Sequence, residues 1–212
     1  METIKKQPGR PPAGGDQAVR QQLLTAARGL FAKQGYDAVS IRAVAEAARV
    51  NPAMIHYYFG SKQGLYEAML AATLAPLIER LGQVLSAGDD ASALRNFFAL
   101  YMRTLGANPW MPPLILREVV AEGGRLRAWF IQQFASKGGG LLTRLIQREQ
   151  AAGRIRADAD PSMTALSMVS LAVFPFVAMP VASEVFGMRV KDDYLDRFIA
   201  HTERVFLQGV SP

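Results

Sequence analysis

The stretch from Ser40 to Lys62, SIRAVAEAARVNPAMIHYYFGSK, reads as two short helices and the turn between them. Ser40 precedes Ile41, Val44, Ala45 and Ala48, an apolar stripe at helical spacing, and a serine in that place caps the free amides of a first turn. Asn51 and Pro52 repeat the device: a capping side chain, then a proline at the first helical position, where its missing N–H costs nothing. The second helix ends by Phe59, because Gly60-Ser61 is a stop followed by a new cap. At about 100° per residue, Ile55, Tyr58 and Phe59 fall on one side and Ala53 and Tyr57 opposite, flanked by Met54 and His56. That outward face is small, aromatic and polar rather than salt-bridged, which suits a major groove where side chains meet base edges.

Upstream, the pattern is helical from Gln17. Leu23, Ala27, Leu30 and Phe31 form one apolar stripe, and Gln34-Gly35 ends it with a glycine able to take a left-handed cap. A longer helix supporting two short ones makes a helix-turn-helix, with Ala45 small enough for the closest approach and Ala48, Val50 and Ile55 apolar around the turn. Residues 1–16 combine Pro and Gly with Lys5, Lys6 and Arg10 and have almost nothing to bury. They form a flexible basic arm, either a solvated tail or a segment that touches phosphate or a groove. The arm has no apolar h-region, so no secretory signal is read and a cytoplasmic location is expected.

Charge follows the same division. The 212 residues carry a net +6, and residues 1–66 alone hold nine basic against four acidic side chains, leaving the other 146 residues near neutrality. A basic module followed by a near-neutral apolar one implies two tasks, one of them with an anionic partner. Half the chain is apolar, enough for a sizeable core. There is no cysteine, and His56 and His201 stand far apart without a partner at ligand spacing, so no metal site and no cofactor are expected.

Five motifs occur in order within fifty residues: Phe31-Ala-Lys-Gln-Gly35-Tyr36, Ser40-Ile-Arg-Ala-Val44-Ala45, Ala48-Arg49-Val50, His56-Tyr57-Tyr58-Phe59 and Ser61-Lys62-Gln-Gly-Leu65. With them, residues 17–66 resemble the DNA-binding domain of the TetR/AcrR family of transcriptional regulators. Carried over by position, the resemblance assigns DNA contacts to Ser40, Arg42, Arg49, Asn51, Pro52, Ala53, Met54, His56, Tyr57 and Lys62. Two departures stand out. Arg49 occupies the place of the family's usual turn glycine, where a left-handed backbone would cost a non-glycine residue roughly 1 kcal/mol unless the turn differs. His56 and Tyr57 stand in the places of the family's common Tyr-His pair in reversed order, so no operator sequence carries over.

Downstream of Ser61, Leu65, Met69, Leu77 and Leu81 sustain a fourth helix that Pro76 should kink or split, either as a hinge or as a plain break. Further helices are expected at about 91–106, 114–122 after a loop bracketed by Asn108-Pro109 and Pro112-Pro113, 125–151 with a weak point at Gly138–Gly140, 162–184 and 191–208. Ser162 to Ser183 carries no charge and is long enough to span a bilayer, but Pro175, Pro180, four serines and a threonine argue against it, and no membrane partner is expected. A helix apolar all round is instead buried between a core and a partner. The family resemblance implies a homodimer through the last two helices, which would meet two half-sites one helical turn apart on double-stranded operator DNA.

Trp110, Trp129, Phe130, Phe134, Phe174 and Phe176 are material for an apolar pocket, and Arg117 and Glu118 are charges in an otherwise apolar helix. Trp110, Arg117, Glu118, Trp129, Phe174 and Phe176 are therefore the candidate effector contacts. No Gly-x-Ser-x-Gly, phosphate-loop, His-Glu-x-x-His or Gly-x-Gly-x-x-Gly motif occurs, and no catalytic residue is assigned. The expectation is an all-α chain: an arm (1–16), an N-terminal three-helix helix-turn-helix DNA-binding domain (17–62) and a larger helical effector-binding and dimerisation domain (63–212). Its expected function is ligand-responsive repression, leaving a palindromic operator when a small apolar molecule binds; activation is the alternative.

Overall fold

A computed structural model describes residues 13–88, 90–188 and 193–211, and these are helix and turn with no strand. Backbone contacts divide the chain between Ala71 and Ala72, inside its fourth helix. Residues 1–12 of the arm, Asp89 and the first two residues of the expected 191–208 helix lie outside the described residues.

The N-terminal unit contains α1 (Ala13–Ala38), α2 (Ile41–Ala48), α3 (Ala53–Phe59) and the first turns of α4 (Lys62–Ser86). α1 starts four residues before Gln17, within the stretch read as arm. The glycine stop stands where expected: Gly35 leaves helical geometry at φ 79°, ψ 173°, after which the chain resumes a short turn to Ala38. The break returns Tyr36 onto the core, its ring 5.8 Å from Phe31 and 4.9 Å from Tyr66, while Phe31 and Tyr66 meet edge to face at 4.6 Å. Leu23, Ala27, Val44, Ala45, Ile55 and Leu65 are fully buried around this cluster, so α1, α2, α3 and the start of α4 share one core.

The C-terminal unit packs the rest of α4 with α5 (Ala93–Ala107), α6 (Met111–Ile115), α7 (Arg127–Phe130), α8 (Ser136–Ala151), α9 (Pro161–Val185) and α10 (Tyr194–Val210). Phe98 of α5 stacks on Phe206 of α10 at 5.8 Å, with Met102, Leu105, Leu145, Ile146 and Met168 buried about them. Asp160 caps α9 by accepting from the Met163 amide (2.8 Å), with Pro161 next, the same device as Asn51-Pro52.

Of the kink or split expected at Pro76, the split does not occur: α4 runs unbroken from Lys62 to Ser86. Pro112 and Pro113 are not loop residues: they form the first turn of α6, where a missing N–H leaves no helical bond unmade. α8 is not interrupted at Gly138–Gly140; the irregularity lies upstream, where Ile131–Ala135 is a π-helical turn joining α7 to α8. A second π turn, Leu116–Val120, extends α6, and Arg127 ties down its end by donating to the carbonyls of Val119 (2.9 Å) and Val120 (2.8 Å).

Buried charge in this unit is paired. Glu149, 2% exposed, accepts from Arg154 at 2.6 and 3.1 Å, and Arg148 donates to the carbonyls of Val84 (3.1 Å), in the last turn of α4, and Gly88 (2.8 Å), just past its end. These bonds satisfy carbonyls that the helix end leaves open.

Candidate nucleic-acid interface and effector cavity

The reading helices are set by local chemistry. Ser40 is extended (φ −92°, ψ 154°) and its Oγ accepts from the Ala43 amide at 3.0 Å, closing the first turn of α2. At the other end Arg49 is left-handed (φ 57°, ψ 41°), and Val50 donates to the Ala45 carbonyl at 2.9 Å, the bond that closes a helix through such a residue. The Asn51 side chain accepts from Ala53 at 2.9 Å, and Pro52 already has helical angles. Among the described residues only Arg49 combines a positive φ with a side chain. Arg49→Gly should therefore stabilise the chain by about 0.5–1 kcal/mol, read from chemical denaturation. If Arg49 also reaches phosphate, the same variant should reduce the salt dependence of DNA binding by about one counterion per protomer.

Of the ten residues read as DNA contacts, Ser40, Arg42, Arg49, Asn51, Pro52, Ala53, His56 and Tyr57 are exposed, and they sit along α2, the turn and α3. Met54 and Lys62 are half-buried. Tyr57 is 62% exposed, its ring edge-on to Tyr58 at 4.9 Å. The His56 Nδ1 donates to the Gly60 carbonyl at 3.0 Å, which leaves Nε2 as the ring's acceptor. Lys62 lies over the Tyr36 ring, its Nζ 4.2 Å from the centroid, so its stem and charge serve the fold of the N-terminal unit as well as any phosphate.

Three residues to which the sequence reading gave no role, Asp16, Arg20 and Gly64, position α3 and α4. The Tyr58 hydroxyl donates to Asp16 in the first turn of α1, and this bond, with burial and the Asp16 charge, pushes the phenol up to about 12. One turn on, the Arg20 guanidinium lies 5.4 Å from the Phe59 ring centroid. α1 thus grips one face of α3 and leaves the other, with His56 and Tyr57, uncovered. Gly64 is the third: a Cβ there would lie 2.1 Å from the Phe59 carbonyl oxygen, so only glycine lets α4 start this close to the end of α3. A glycine in a helix's opening turn costs about 1 kcal/mol against alanine, and that was its signal.

The C-terminal unit holds a cavity of about 260 Å³. α4 contributes Leu74, Leu77, Ile78 and Leu81 to it, and α5 contributes Phe97 and Tyr101. Phe130, Phe134 and Ala135 close it from the α7–π turn, and Gly138, Gly139, Leu142 and Val169 from α8 and α9. Two of the six aromatics noted in the sequence, Phe130 and Phe134, are in this wall; none of the six candidate effector contacts is. Trp110 is half-buried, its indole donating to Asn108 at 3.3 Å. Glu118 is buried between Arg117 (2.9 Å) and Arg125 (3.0 Å). Trp129 packs edge-on against Phe134 at 5.3 Å, Phe176 is half-buried, and Phe174 is 66% exposed beside a shallow groove between α9 and α10.

Burial pushes the Tyr101 phenol from its usual 10 up to about 12. Its folded value lies above its unfolded one, so the stabilisation is complete below pH 10 and is lost as pH rises from 10 towards 12. Between pH 10 and 11 the wild type should lose about 1 kcal/mol more stability than Tyr101→Phe, measured by urea denaturation at each pH.

Comparison with known proteins agrees with this architecture. Residues 23–69 match the family model of bacterial regulatory proteins, tetR family, and residues 91–202, more than half of the chain, match that of the tetracyclin repressor-like C-terminal domain. The HTH-type transcriptional repressor NicS of Pseudomonas putida is 27% identical over 157 residues, 73% of this chain and 74% of that one. The HTH-type transcriptional repressor BdcR of Escherichia coli is 34% identical over 67 residues, 32% of this chain and only 34% of its own length. In the solved structures, NalD of Pseudomonas aeruginosa, the secondary repressor of the MexAB-OprM multidrug efflux pump, superposes with a TM-score of 0.72 at 21% identity, covering 93% of this chain and 98% of NalD. That likeness speaks to the fold alone. Two consecutive domain matches on a helix-turn-helix unit and a helical unit show that the chain belongs to the tetR family of bacterial regulatory proteins, which are helix-turn-helix transcriptional regulators and not enzymes.

Proposed function

We propose that the chain is a ligand-responsive repressor: a homodimer that holds a palindromic operator and leaves it when a small apolar molecule fills the cavity of the C-terminal unit. One observation carries this reading. α4 supplies four residues to the cavity wall, Leu74, Leu77, Ile78 and Leu81, while its first turns, with Leu65, Tyr66 and Leu70, belong to the core of the reading unit. A ligand that moves the wall acts on a helix that the reading unit cannot release. For that to lower operator affinity, the molecule must bind the DNA-incompetent conformation more tightly than the competent one.

DNA is met by Ser40, Arg42, Arg49, Asn51, Pro52, Ala53, Met54, His56, Tyr57 and Lys62, the charged members positioning on phosphate and the α3 face reading bases. The dimer seam is formed by α9 and α10. α4 and α9 are each long and apolar enough to cross a bilayer. α9 is assigned here to a protein seam, and the protein to the cytoplasm. Phe174 and Phe176 then belong to that seam rather than to the effector site, which is the cavity beside Trp129.

Selection of genomic fragments by the purified protein tests this reading. The expected result is enrichment of a palindrome with half-sites about one helical turn apart, bound with an affinity that falls steeply with salt. Lack of enrichment for any sequence over random DNA would overturn it.

A further inference from the structure

The cavity has a chemistry of its own. None of its lining residues is charged, and Tyr101 supplies the one polar side-chain group among them. The Tyr101 ring stacks on Phe97 at 6.4 Å, which fixes its direction, and no protein group among the described residues bonds its hydroxyl. A phenol is protonated at neutral pH, so the Tyr101 hydroxyl is there a hydrogen-bond donor without a protein acceptor.

The mouth is equally specific. Ala135 and Gly139 line the cavity and are also exposed, so side chains of one carbon or none rim its opening. A Cβ built at Gly139 meets nothing within 4 Å, whereas one at neighbouring Gly138 would lie 2.6 Å from Ile78 of α4. Gly138 thus allows α8 and α4 to approach, and Gly139 keeps the opening clear. Two adjacent helical glycines, each unfavourable by about 1 kcal/mol against alanine, have different tasks.

From this geometry we infer that the effector is an uncharged molecule of about two fused rings carrying one hydrogen-bond acceptor, an oxygen that takes the Tyr101 hydroxyl's proton in a hydrogen bond. The inference rests on the reading of this cavity as the effector site. The volume sets the size: an apolar cavity of about 150 Å³ holds benzene, so one of about 260 Å³ holds ten to twelve non-hydrogen atoms. The lack of a counter-charge excludes carboxylates and ammonium ions, whose hydration nothing in the wall replaces. The single donor selects for oxygen at one edge of an otherwise apolar body.

A series on one carbon skeleton tests each element on the purified full chain by calorimetric or fluorescence titration: 1-naphthol, naphthalene, 1-naphthoate and 1-naphthylmethylammonium. 1-Naphthol should bind at least about a hundredfold more tightly than either ion. Tyr101→Phe should weaken 1-naphthol by about three- to tenfold and leave naphthalene within about twofold. Gly139→Leu should remove binding of both, while Gly140→Leu, on the same helix but outside the wall, should leave both unchanged. 1-Naphthoate binding within tenfold of 1-naphthol, or undiminished binding to Gly139→Leu, overturns the inference. The operator selection is read separately. A recovered operator together with failure of the naphthol series leaves the repressor standing and removes this effector class. The expected ranking without an operator does the reverse.

Discussion

Tyr57→Ala is expected to lower operator affinity by at least about a hundredfold while leaving fold and oligomeric state intact. Tyr57 is the large apolar side chain most exposed on α3, its ring edge-on to Tyr58 and 62% uncovered, so its removal opens no cavity in the N-terminal core. Stability should change by less than about 1 kcal/mol, as for other exposed positions. A base-edge contact contributes about 1–3 kcal/mol, and a twofold dimer makes it twice, which is how one exposed ring reaches a hundredfold. The contrast with Tyr58 is instructive: Tyr58→Phe should act through the placement of α3, because its hydroxyl donates to Asp16 of α1. Normal operator affinity of Tyr57→Ala in a mobility-shift or fluorescence-anisotropy titration would show that α3 does not present this face to DNA.

Phe174→Asp is expected to turn the dimer into monomers and, with that, to remove cooperative binding to the full palindrome. α9 exposes Met163, Leu166, Phe174, Val181 and Val185, each about two-thirds uncovered or more, on a helix that carries no charge from Pro161 to Ser183. These side chains fall on one face of α9, and the proposed seam supplies their cover. In a twofold seam one substitution places two unpaired carboxylates against apolar surface, and at about 2 kcal/mol or more each the dimer dissociation constant rises at least about a thousandfold. The monomer itself should keep its helical content, since Phe174 already faces away from the α5, α6 and α8 side of α9. Sedimentation at micromolar concentration checks it: a dimer unaffected by the charge would place the seam elsewhere.

Much of the architecture is local enough to read from residues alone. Ser40, Asn51 and Asp160 cap their helices through bonds that span two or three residues, and Gly35 and Gly60 end theirs through a backbone angle only glycine takes readily. The misreadings come from tertiary context. Pro112-Pro113 looks like a loop signal until Met111 is buried beneath the turn they form, and Gly138–Gly140 look like a break until Ile78 fills the space beside one of them. Glu118 resembles a ligand contact because it is a charge among apolar neighbours, yet Arg125, seven residues on, neutralises it after the chain turns back.

The sequence by itself determined that this chain is a helical regulator of the tetR family with a basic reading module. Caps, stops and the α3 face are matters of spacing within one or two turns of helix, and charge needs only counting. Where the proposed effector would fit is a matter of the tertiary structure. Leu77, Tyr101, Phe134 and Gly139 are spread over four segments, and a cavity is the volume those segments fail to fill when they pack. The aromatic residues most conspicuous in the sequence, Trp110 and Phe174, lie outside that volume, while a glycine read only as part of a weak point in its helix and a tyrosine not singled out at all supply its opening and its one polar group.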